Sequence, residues 1–508
     1  MTLTSALRDL AESDYYPFHM PGHKRNLPLL RKYGFLAENP EQTSPYAIDI
    51  TEIPGFDDLH HAEGLISDAQ KSAASLYGAK ESIFSVGGST TALLAGIGAV
   101  CQRGDEILVA RNCHKSVYHA IELFGLVPSY VWPDVDAAGI AGAIHAEQIE
   151  ALLMAAAEEK RTIRMLVLTS PTYEGVTSDI HQIAAICHRY DVVLMVDEAH
   201  GAHFGLDDPE VPYFPETAVR LGADLVAQSM HKTLPSLTQT AILYRCSERV
   251  DGRRLHRMFD LLETSSPSYV LMAGMEHCIR VLQEHRKELM AAYVQHLRGF
   301  YYAVRGLKVI RLWAPWERDL SAALDPSKLI FVLPERGAWL CDRLEKDYHL
   351  TFEMYAKDYV LGMTSMFDTE EGLMRLAAAI TQIDQELQKG SGTGETSAEE
   401  PEELDRVQQM TGPKIRRLLP AEAVRCAAEA GSAWIPLDES AGRISADYVY
   451  AYPPGIPVVV PGEVIDEDVI RWIRTEAAAG CMLQGGSDGN GISVCSDGQE
   501  CHGQGQPL

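Results

Sequence analysis

Lys232 is the residue whose surroundings most clearly indicate chemistry. It ends the segment Ser229-Met230-His231-Lys232, which follows the largely apolar run 223–227, and that run predicts a buried strand. An amine at a strand end can form a Schiff base with an aldehyde, while Ser229 and His231 can hold an anionic group of the same ligand. The alternative is a solvated lysine in a strand-to-loop turn.

An aspartate at a second predicted strand end would add a negative charge. The apolar run 192–196 ends in Asp197-Glu198-Ala199-His200-Gly201. Such runs are typical of parallel sheets, where ligand groups gather at the carboxyl ends of the strands. Asp197 can therefore pair with a protonated ring nitrogen, and a solvated loop carboxylate fits the preceding apolar residues less well. His200 can line the same crevice or cap the turn.

A glycine-rich turn upstream predicts a phosphate site. Residues 84–91 (FSVGGSTT) lead into an apolar helical stretch, so Ser89 and Thr90 would lie at a helix start with free amides. Alone, this motif would indicate an ordinary helix cap. Combined with Asp197 and Lys232, it indicates pyridoxal 5'-phosphate (PLP), which needs a phosphate cradle, a carboxylate at its ring nitrogen and a lysine amine.

Further motifs resemble the Orn/Lys/Arg decarboxylase family of fold-type-I PLP enzymes, over residues 17–472. In chain order they are 17–24 (PFHMPGHK), 49–52, 57–60, 111–116 (RNCHKS), 263–269 (ETSSPSY), 441–446, 452–457 and 461–463. The resemblance implies that His114 stacks on the cofactor ring. It gives no role to the histidines of the other motifs, which are His19, His23, His60 and His61.

The resemblance implies decarboxylation of a basic amino acid to a diamine or agmatine. Lys232, Asp197 and His114 would be catalytic, and the α-carbon would be protonated by Lys232 or a nearby histidine. The residues implied to bind the cofactor are Ser89, Thr90, His114, Asp197, His200, Ser229, His231 and Lys232. An aminotransferase or lyase of the same fold is the alternative, and a catalytically silent homologue is a third.

The substrate is less clearly indicated. Because the motif at 17–24 begins near the amino terminus, we expect no receiver-like wing domain before it. By family analogy this favours a short, biosynthetic type and arginine as substrate, with lysine second and ornithine third. A cationic side chain needs carboxylates, and the candidates, each of which can equally be a surface acid, are Asp438, Glu439, Asp447 and Glu463.

Composition excludes several classes of protein. The 508 residues carry a formal net charge of −27, which argues against nucleic acid or anionic membrane surfaces as partners. The amino terminus is charged where a signal peptide would be apolar, and no apolar run approaches the ~18 residues of a membrane span. Ten cysteines without paired spacing suggest reduced thiols. We therefore expect a cytoplasmic protein.

Strand-like runs alternating with helical patterns predict an α/β fold with a mostly parallel sheet. The predicted strands are 106–110, 165–169, 192–196, 224–228, 240–244, 328–333 and 350–355. A helical pattern at 268–305 is long enough that we expect a break or bend. The predicted parts are an arm at 1–60, a large PLP-binding domain at 61–267, a long helix and small α/β domain at 268–388, an acidic linker at 389–405, a carboxyl-terminal domain at 406–479 and a disordered tail at 480–508.

Two further expectations concern assembly and metals. The arm suggests a homodimer with shared active sites, and in many enzymes of this fold a neighbouring chain completes the phosphate site. Our candidate for that role is Thr264-Ser265-Ser266. No metal is expected, because Cys495, Cys501 and His502 in the tail lack the four-ligand spacing of structural zinc.

Overall fold

The computed structural model describes residues 2–37, 39, 44–313, 324–390 and 414–496. The amino-terminal arm contains the elements α1 (Leu3–Glu12), β1 (Tyr16–Phe18), α2 (Leu27–Lys32) and α3 (Pro45–Ile48). The predicted arm at 1–60 therefore contains short regular elements. Strand β1 pairs in parallel with the later segment Leu350–Phe352, which fixes the arm to the small domain.

A seven-stranded sheet forms the centre of the large domain. Its strands are β2 (Glu81–Ser85), β3 (Glu106–Ala110), β4 (Val127–Val131), β5 (Ile163–Thr169), β6 (Val193–Asp197), β7 (Leu225–Ser229) and β8 (Ala241–Arg245). The order is β2-β8-β7-β6-β5-β3-β4, and only β8 runs antiparallel to its neighbours. The predicted α/β fold with a mostly parallel sheet is confirmed.

Helices cover both faces of this sheet, which explains why β6 and β7 are buried throughout. The helices are α4 (Leu65–Tyr77), α5 (Gly88–Val100), α6 (Lys115–Phe124), α7 (Ala146–Glu158), α8 (Ile180–Arg189), α9 (Met230–Thr233) and α10 (Gly252–Leu262). Helix α5 packs closely on the sheet at Gly96, because a Cβ there would lie 2.6 Å from Met195 Cε and that side chain would have to shift.

The small domain follows a helix of 36 residues. Its elements are α11 (Tyr269–Val304), β9 (Arg311–Trp313), β10 (Lys328–Val332), α12 (Gly337–Tyr348), β11 (Leu350–Phe352), β12 (Met354–Tyr355), β13 (Tyr359–Met363) and α13 (Glu370–Gly390). The predicted break in α11 is wrong, because the helix packs on α4 and α13 along its length. The predicted strand 350–355 is two strands in different sheets, separated at Glu353.

The carboxyl-terminal domain has its own apolar core. It consists of α14 (Pro420–Ala430), β14 (Ser432–Pro436), β15 (Val449–Ala451), β16 (Ile456–Val459), α15 (Glu467–Ala478), β17 (Leu483–Gly485) and β18 (Gly491–Cys495). The predicted disordered tail is therefore wrong over 480–496, since β14 and β18 pair over five residues. Residues 391–405 of the predicted linker and 497–508 of the tail lie outside the described residues.

Arg111 joins the large domain to the carboxyl-terminal domain. Its guanidinium donates to the carbonyls of Pro457 and Val458 at 2.5 and 3.1 Å, and lies 3.2 Å from Glu463 Oε2. The side chains of Arg111 and Glu463 are 4 and 1% exposed. Truncating one partner leaves the other as an uncompensated buried charge, so this contact controls docking of the domain.

We expect Arg111→Met to lower the free energy of unfolding by about 3–5 kcal/mol, the usual cost of breaking a buried ion pair. Denaturant unfolding would measure it. Arg471→Met is the matched control, because Arg471 pairs with Asp468 at the surface and such pairs contribute about 0–1 kcal/mol. Equal losses in the two variants would contradict this role of Arg111.

Eight of the cysteines are free thiols. Cys426 is disulfide-bonded, so the expectation of reduced thiols is wrong for that residue. Cys495 is buried in β18, whereas Cys501 and His502 lie outside the described residues. Within the described ranges, no helix has both the length and the apolar character needed to cross a membrane.

Candidate active site

Lys232 lies in the single helical turn α9, directly after β7, as predicted for a strand end. Its Nζ is 2.9 Å from Nε2 of His200. Burial holds the pKa of His200 well below its usual range, so the imidazole is neutral and shares a hydrogen bond with the amine. Burial also lowers the pKa of Lys232, against the opposing charges of Asp197 and Glu353. The turn therefore presents a buried amine that loses its proton more readily than an exposed lysine does.

Asp197 ends β6, the strand beside β7, and is paired in register with Ala227. The carboxylate is 3% exposed, and its Oδ1 accepts the Ala199 N–H at 3.1 Å. Burial raises the pKa of this carboxyl, while the charge of Lys232 acts in the opposite direction. The sheet thus brings the predicted aspartate and lysine to one crevice.

The start of α5 and the end of β7 meet, because Ser229 Oγ donates to Ser89 Oγ at 3.0 Å. Gly87 caps α5 without a side-chain hydrogen bond, so the first amides of the helix are available to an anion. Glu263 braces this turn by accepting from Ser85 Oγ and from the Gly87 N–H, at 2.8 and 3.0 Å. Thr90 lies in the same first turn and is exposed.

His114 caps α6, and its Nδ1 lies 2.8 Å from Ser116 Oγ. Burial, with smaller effects from Lys232 and Lys115, lowers the pKa of His114 to about 3, so the ring is neutral. The carboxyl-terminal domain covers it, since a Cβ on Gly455 would lie 3.4 Å from His114 Nε2. His114 and Lys232 therefore face one crevice that two domains enclose.

His231 points its Nδ1 at the Thr240 carbonyl, 3.0 Å away. Burial lowers its pKa to about 4, so at neutral pH Nδ1 carries the proton and Nε2 is an acceptor. A phosphate contact through Nε2 would require His231 to take up a proton, which an adjacent dianion favours.

The amino-terminal motif at 17–24 packs against the turn that carries Lys232. The Gly22 N–H donates to the His231 carbonyl at 2.7 Å, and a Cβ at Gly22 would lie 2.6 Å from the Leu234 oxygen. Lys24 is buried and donates to the Met363 carbonyl at 2.6 Å. Only glycine fits at position 22, so this motif holds the chain around Lys232 in place.

The remaining histidines of the motifs have local partners. His19 Nδ1 lies 2.5 Å from the Met20 carbonyl, and burial lowers the pKa of His23 to about 4. His60 Nε2 lies 2.8 Å from the Thr264 carbonyl, which ties the acidic motif to the segment after α10. His61 is exposed beside Asp58.

Sequence reasoning missed Glu353 and Tyr173. The Tyr173 hydroxyl donates to Glu353 Oε1 at 2.5 Å, and the Tyr173 ring centroid lies 4.4 Å from that of His200. The Met20 N–H donates to the second oxygen of Glu353 at 3.0 Å. Glu353 is thus a carboxylate whose charge acts on Lys232, although no sequence motif marks it.

Sequence reasoning also missed a cluster of buried charged residues next to the His200 backbone. Lys328 Nζ lies 3.0 Å from Asp325 Oδ2 and 3.4 Å from the His200 carbonyl. Asp325 Oδ1 lies 3.1 Å from His203 Nε2. These residues come from distant parts of the chain and fix the backbone that carries His200.

None of the four acids predicted for the substrate lines the main cavity, whose volume is about 570 Å³. Glu463 is paired with Arg111, and Asp438 pairs with Arg474 at the surface. Glu439 and Asp447 are exposed. The prediction chose acids from the carboxyl-terminal domain, whereas Glu353, whose charge also acts on Lys232, belongs to the small domain.

Family models match most of the chain. Residues 1–354 match "Orn/Lys/Arg decarboxylase, major domain" and residues 406–495 match "Orn/Lys/Arg decarboxylase, C-terminal domain". Among similar proteins, arginine decarboxylase of Bacillus anthracis is 32% identical, covering 96% of this chain and 95% of the relative. Arginine decarboxylase of Bacillus subtilis (strain 168) is 31% identical with the same coverage. The constitutive lysine decarboxylase of Escherichia coli (strain K12) is 23% identical, covering 92% of this chain and 75% of the relative.

Solved structures show the same fold at low identity. A lysine decarboxylase from Francisella novicida superposes with a TM-score of 0.73 and 21% identity, covering 97% of this chain and 81% of that one. The constitutive lysine decarboxylase of E. coli gives a TM-score of 0.71 at 20% identity with the same coverage. These structures agree on the sheet, the small domain and the carboxyl-terminal domain.

Proposed function

Because the chain belongs to the Orn/Lys/Arg decarboxylase family of PLP-dependent amino acid decarboxylases, we propose that it converts arginine to agmatine with PLP held at Lys232. The observation that carries this proposal is the crevice where the strand ends bring Lys232 and Asp197 together with the start of α5. Arginine is supported by relatives above 30% identity, whereas the lysine decarboxylases are more distant.

The crevice fits the three polar parts of PLP. The free amides and hydroxyls at the start of α5 suit a phosphate, and the buried Asp197 suits a protonated pyridine nitrogen. His200 Nδ1 is buried and has no hydrogen-bond partner among the described residues, so it can meet a polar atom of a ligand. The neutral ring of His114 would lie against the face of the cofactor.

Bound PLP would supply an electron sink for the breaking Cα–carboxylate bond. Asp197 would hold a positive charge at the ring nitrogen, because a buried carboxylate stabilises a nearby cation. His200 would orient the Lys232 amine through the hydrogen bond that they share. After the carboxylate leaves, Lys232 Nζ or a neighbouring histidine can hold the proton that the α-carbon takes up. Glu353 adds negative charge near Lys232, which favours a cationic substrate over a neutral one.

The substrate is tested by carbon dioxide release from arginine, lysine and ornithine at equal enzyme concentration. We expect kcat/KM for arginine to exceed the other two by at least about tenfold, or ~1.4 kcal/mol in transition-state binding. A tenfold preference for lysine or ornithine would contradict the arginine assignment and leave the decarboxylase assignment intact.

An aminotransferase or lyase of the same fold is the alternative from a different reaction class. It would release no carbon dioxide from any of the three amino acids. The match of residues 406–495 to the family's C-terminal domain argues against it.

We also propose a homodimer in which the partner's copy of residues 264–266 completes the phosphate site. Thr264, Ser265 and Ser266 are exposed directly after Glu263, which braces the turn before α5. Leu261, three residues before Thr264, is 71% exposed, and Phe56 is 47% exposed in the arm, four residues before His60, which contacts the Thr264 carbonyl. A self-association surface would bury them.

We expect Leu261→Asp to shift the protein from dimer to monomer in sedimentation and to lower activity with it, because a buried charge disfavours an apolar interface. Met154→Asp is the control, since Met154 is exposed on α7, far along the chain from the arm and α10. An active wild-type monomer at assay concentration would contradict the shared site.

We also propose a cytoplasmic location. Eight free thiols suit a reducing compartment, whereas the disulfide at Cys426 is unusual for one. Fractionation of the source cells, with the protein followed by antibody, tests it: recovery with an extracytoplasmic fraction would contradict the proposal.

A further inference from the structure

A buried ion pair of the small domain contacts the loop that follows β6 and carries His200. Asp325 Oδ2 and Lys328 Nζ lie 3.0 Å apart, and both side chains are fully buried. Lys328 is the first residue of β10. Its Nζ also lies 3.4 Å from the His200 carbonyl, and Asp325 Oδ1 lies 3.1 Å from His203 Nε2. The pair therefore contacts this loop both at its backbone and at a side chain.

Further hydrogen bonds hold the ion pair in place. The Ser327 N–H donates to Asp325 Oδ1 at 2.9 Å, and Ser327 Oγ donates to Asp325 Oδ2 at 2.7 Å. The Asp325 N–H donates to the Gly175 carbonyl at 2.8 Å. The space beside Lys328 is narrow, because a Cβ on Gly175 would lie 2.8 Å from Lys328 Cγ. Lys328 therefore has little room to adopt another position.

Stability alone does not account for this pair. Two charges are costly to remove from water, and apolar residues of similar volume often stabilise a core as well or better. The charge of Lys328 also acts on the reacting groups. Burial has the largest effect in lowering the pKa of His200 and of Lys232, and Lys328 adds to it in both cases. Asp197 and Glu353 act on Lys232 in the opposite direction. The pair thus fixes a positive charge where it helps the amine to lose its proton.

His200 connects the ion pair to Lys232. Its Nε2 lies 2.9 Å from Lys232 Nζ. The residue is 5% exposed, and its ring centroid lies 4.4 Å from that of Tyr173. Since the imidazole moves with the backbone that carries it, a contact at the His200 carbonyl also affects where Nε2 meets the amine.

We propose that Lys328 is a positioning residue, which, paired with Asp325, holds the His200 backbone so that the His200 ring meets the Lys232 amine. The use of that amine rests on the function proposed above. Because Lys328 begins β10, the same contacts tie the small domain to the amine.

The rate at which the full-length apoprotein attaches PLP covalently tests this role, because that rate depends on the amine and not on turnover. The apoprotein is mixed with saturating PLP, and the absorbance band of the covalently bound cofactor is followed with time. We expect Lys328→Met to slow attachment by at least about tenfold, because the amine keeps its proton more firmly and its contact with His200 is no longer fixed.

A second variant covers the case in which Lys328→Met does not fold, since that change leaves Asp325 as an uncompensated buried charge. Asp325→Asn/Lys328→Met removes both charges and should slow attachment to the same extent. Lys346→Met is the matched control, because Lys346 pairs with Asp342 at 2.6 Å on the surface of the same domain, with side chains 71 and 56% exposed. It should attach PLP at the wild-type rate.

A double-mutant cycle with His200 separates positioning from a general loss of stability. In a His200→Ala background, Lys328→Met should slow attachment by less than about threefold, because the contact through which it acts is gone. An equal loss in both backgrounds would overturn the proposal. A folded Asp325→Asn/Lys328→Met protein that attaches PLP at the wild-type rate, even with a lower melting temperature, would also overturn it. Wild-type apoprotein that forms no covalent band would overturn the function proposed above and this proposal with it.

Discussion

Lys232→Ala is expected to abolish turnover while the protein remains folded. The side chain carries the amine at the end of β7, and among the described residues its Nζ hydrogen-bonds to His200, so its loss removes the nucleophile and one hydrogen bond. The variant should bind PLP without a covalent bond, and the cofactor should be lost on dialysis. Activity and absorbance spectra before and after dialysis measure both effects.

Lys232→Arg is the control for charge, because a guanidinium keeps the cation in the crevice but forms no Schiff base. It should be as inactive as Lys232→Ala. Near-native melting temperatures in both variants would show that turnover is lost because the amine is missing and not because the protein unfolds. Residual turnover above a few per cent in Lys232→Ala would contradict the role assigned to this amine.

Asp197→Asn is expected to lower kcat by at least about 100-fold, or ~2.7 kcal/mol. The amide has the same shape, and it keeps an oxygen that can accept the Ala199 N–H, but it removes the charge that favours a protonated ring nitrogen. Because the side chain is fully enclosed, solvent cannot replace that charge.

Two measurements separate this effect from loss of cofactor. Absorbance should show PLP still bound to Asp197→Asn, and saturating PLP in the assay should not restore the rate. A variant that binds PLP and retains near-native turnover would show that Asp197 is not the partner of the ring nitrogen.

Local patterns made the placement of the two central residues predictable. Lys232 and Asp197 follow apolar runs, and parallel strands bring their carboxyl ends to one edge, so linear order alone placed the two residues together. The strand bounds differ by one residue for β6, β7 and β8, because apolar content does not show where pairing begins. Strand β4 was missed because Pro128 and Ser129 interrupt its apolar pattern.

Contacts between distant residues were not predictable. Tyr173 and Glu353 are 180 residues apart, and only the packing of the small domain on the large one brings them together. Strand β18 was not predicted, because glycine and serine residues surround it in the sequence, although Ile492 and Val494 are fully buried in it. The four candidate substrate acids could not be ranked for the same reason: burial and direction are not visible in linear order.

The central claim, that PLP is held by Lys232, is tested most directly by borohydride reduction of the holoprotein, followed by digestion and mass spectrometry. The structure offers two other buried lysines as internal comparisons, Lys24 and Lys328, both engaged by an aspartate and by carbonyl groups. The account predicts a pyridoxyl phosphate adduct on Lys232 and on neither of these. An adduct on Lys24, Lys328 or any other lysine, with Lys232 unmodified, would contradict it.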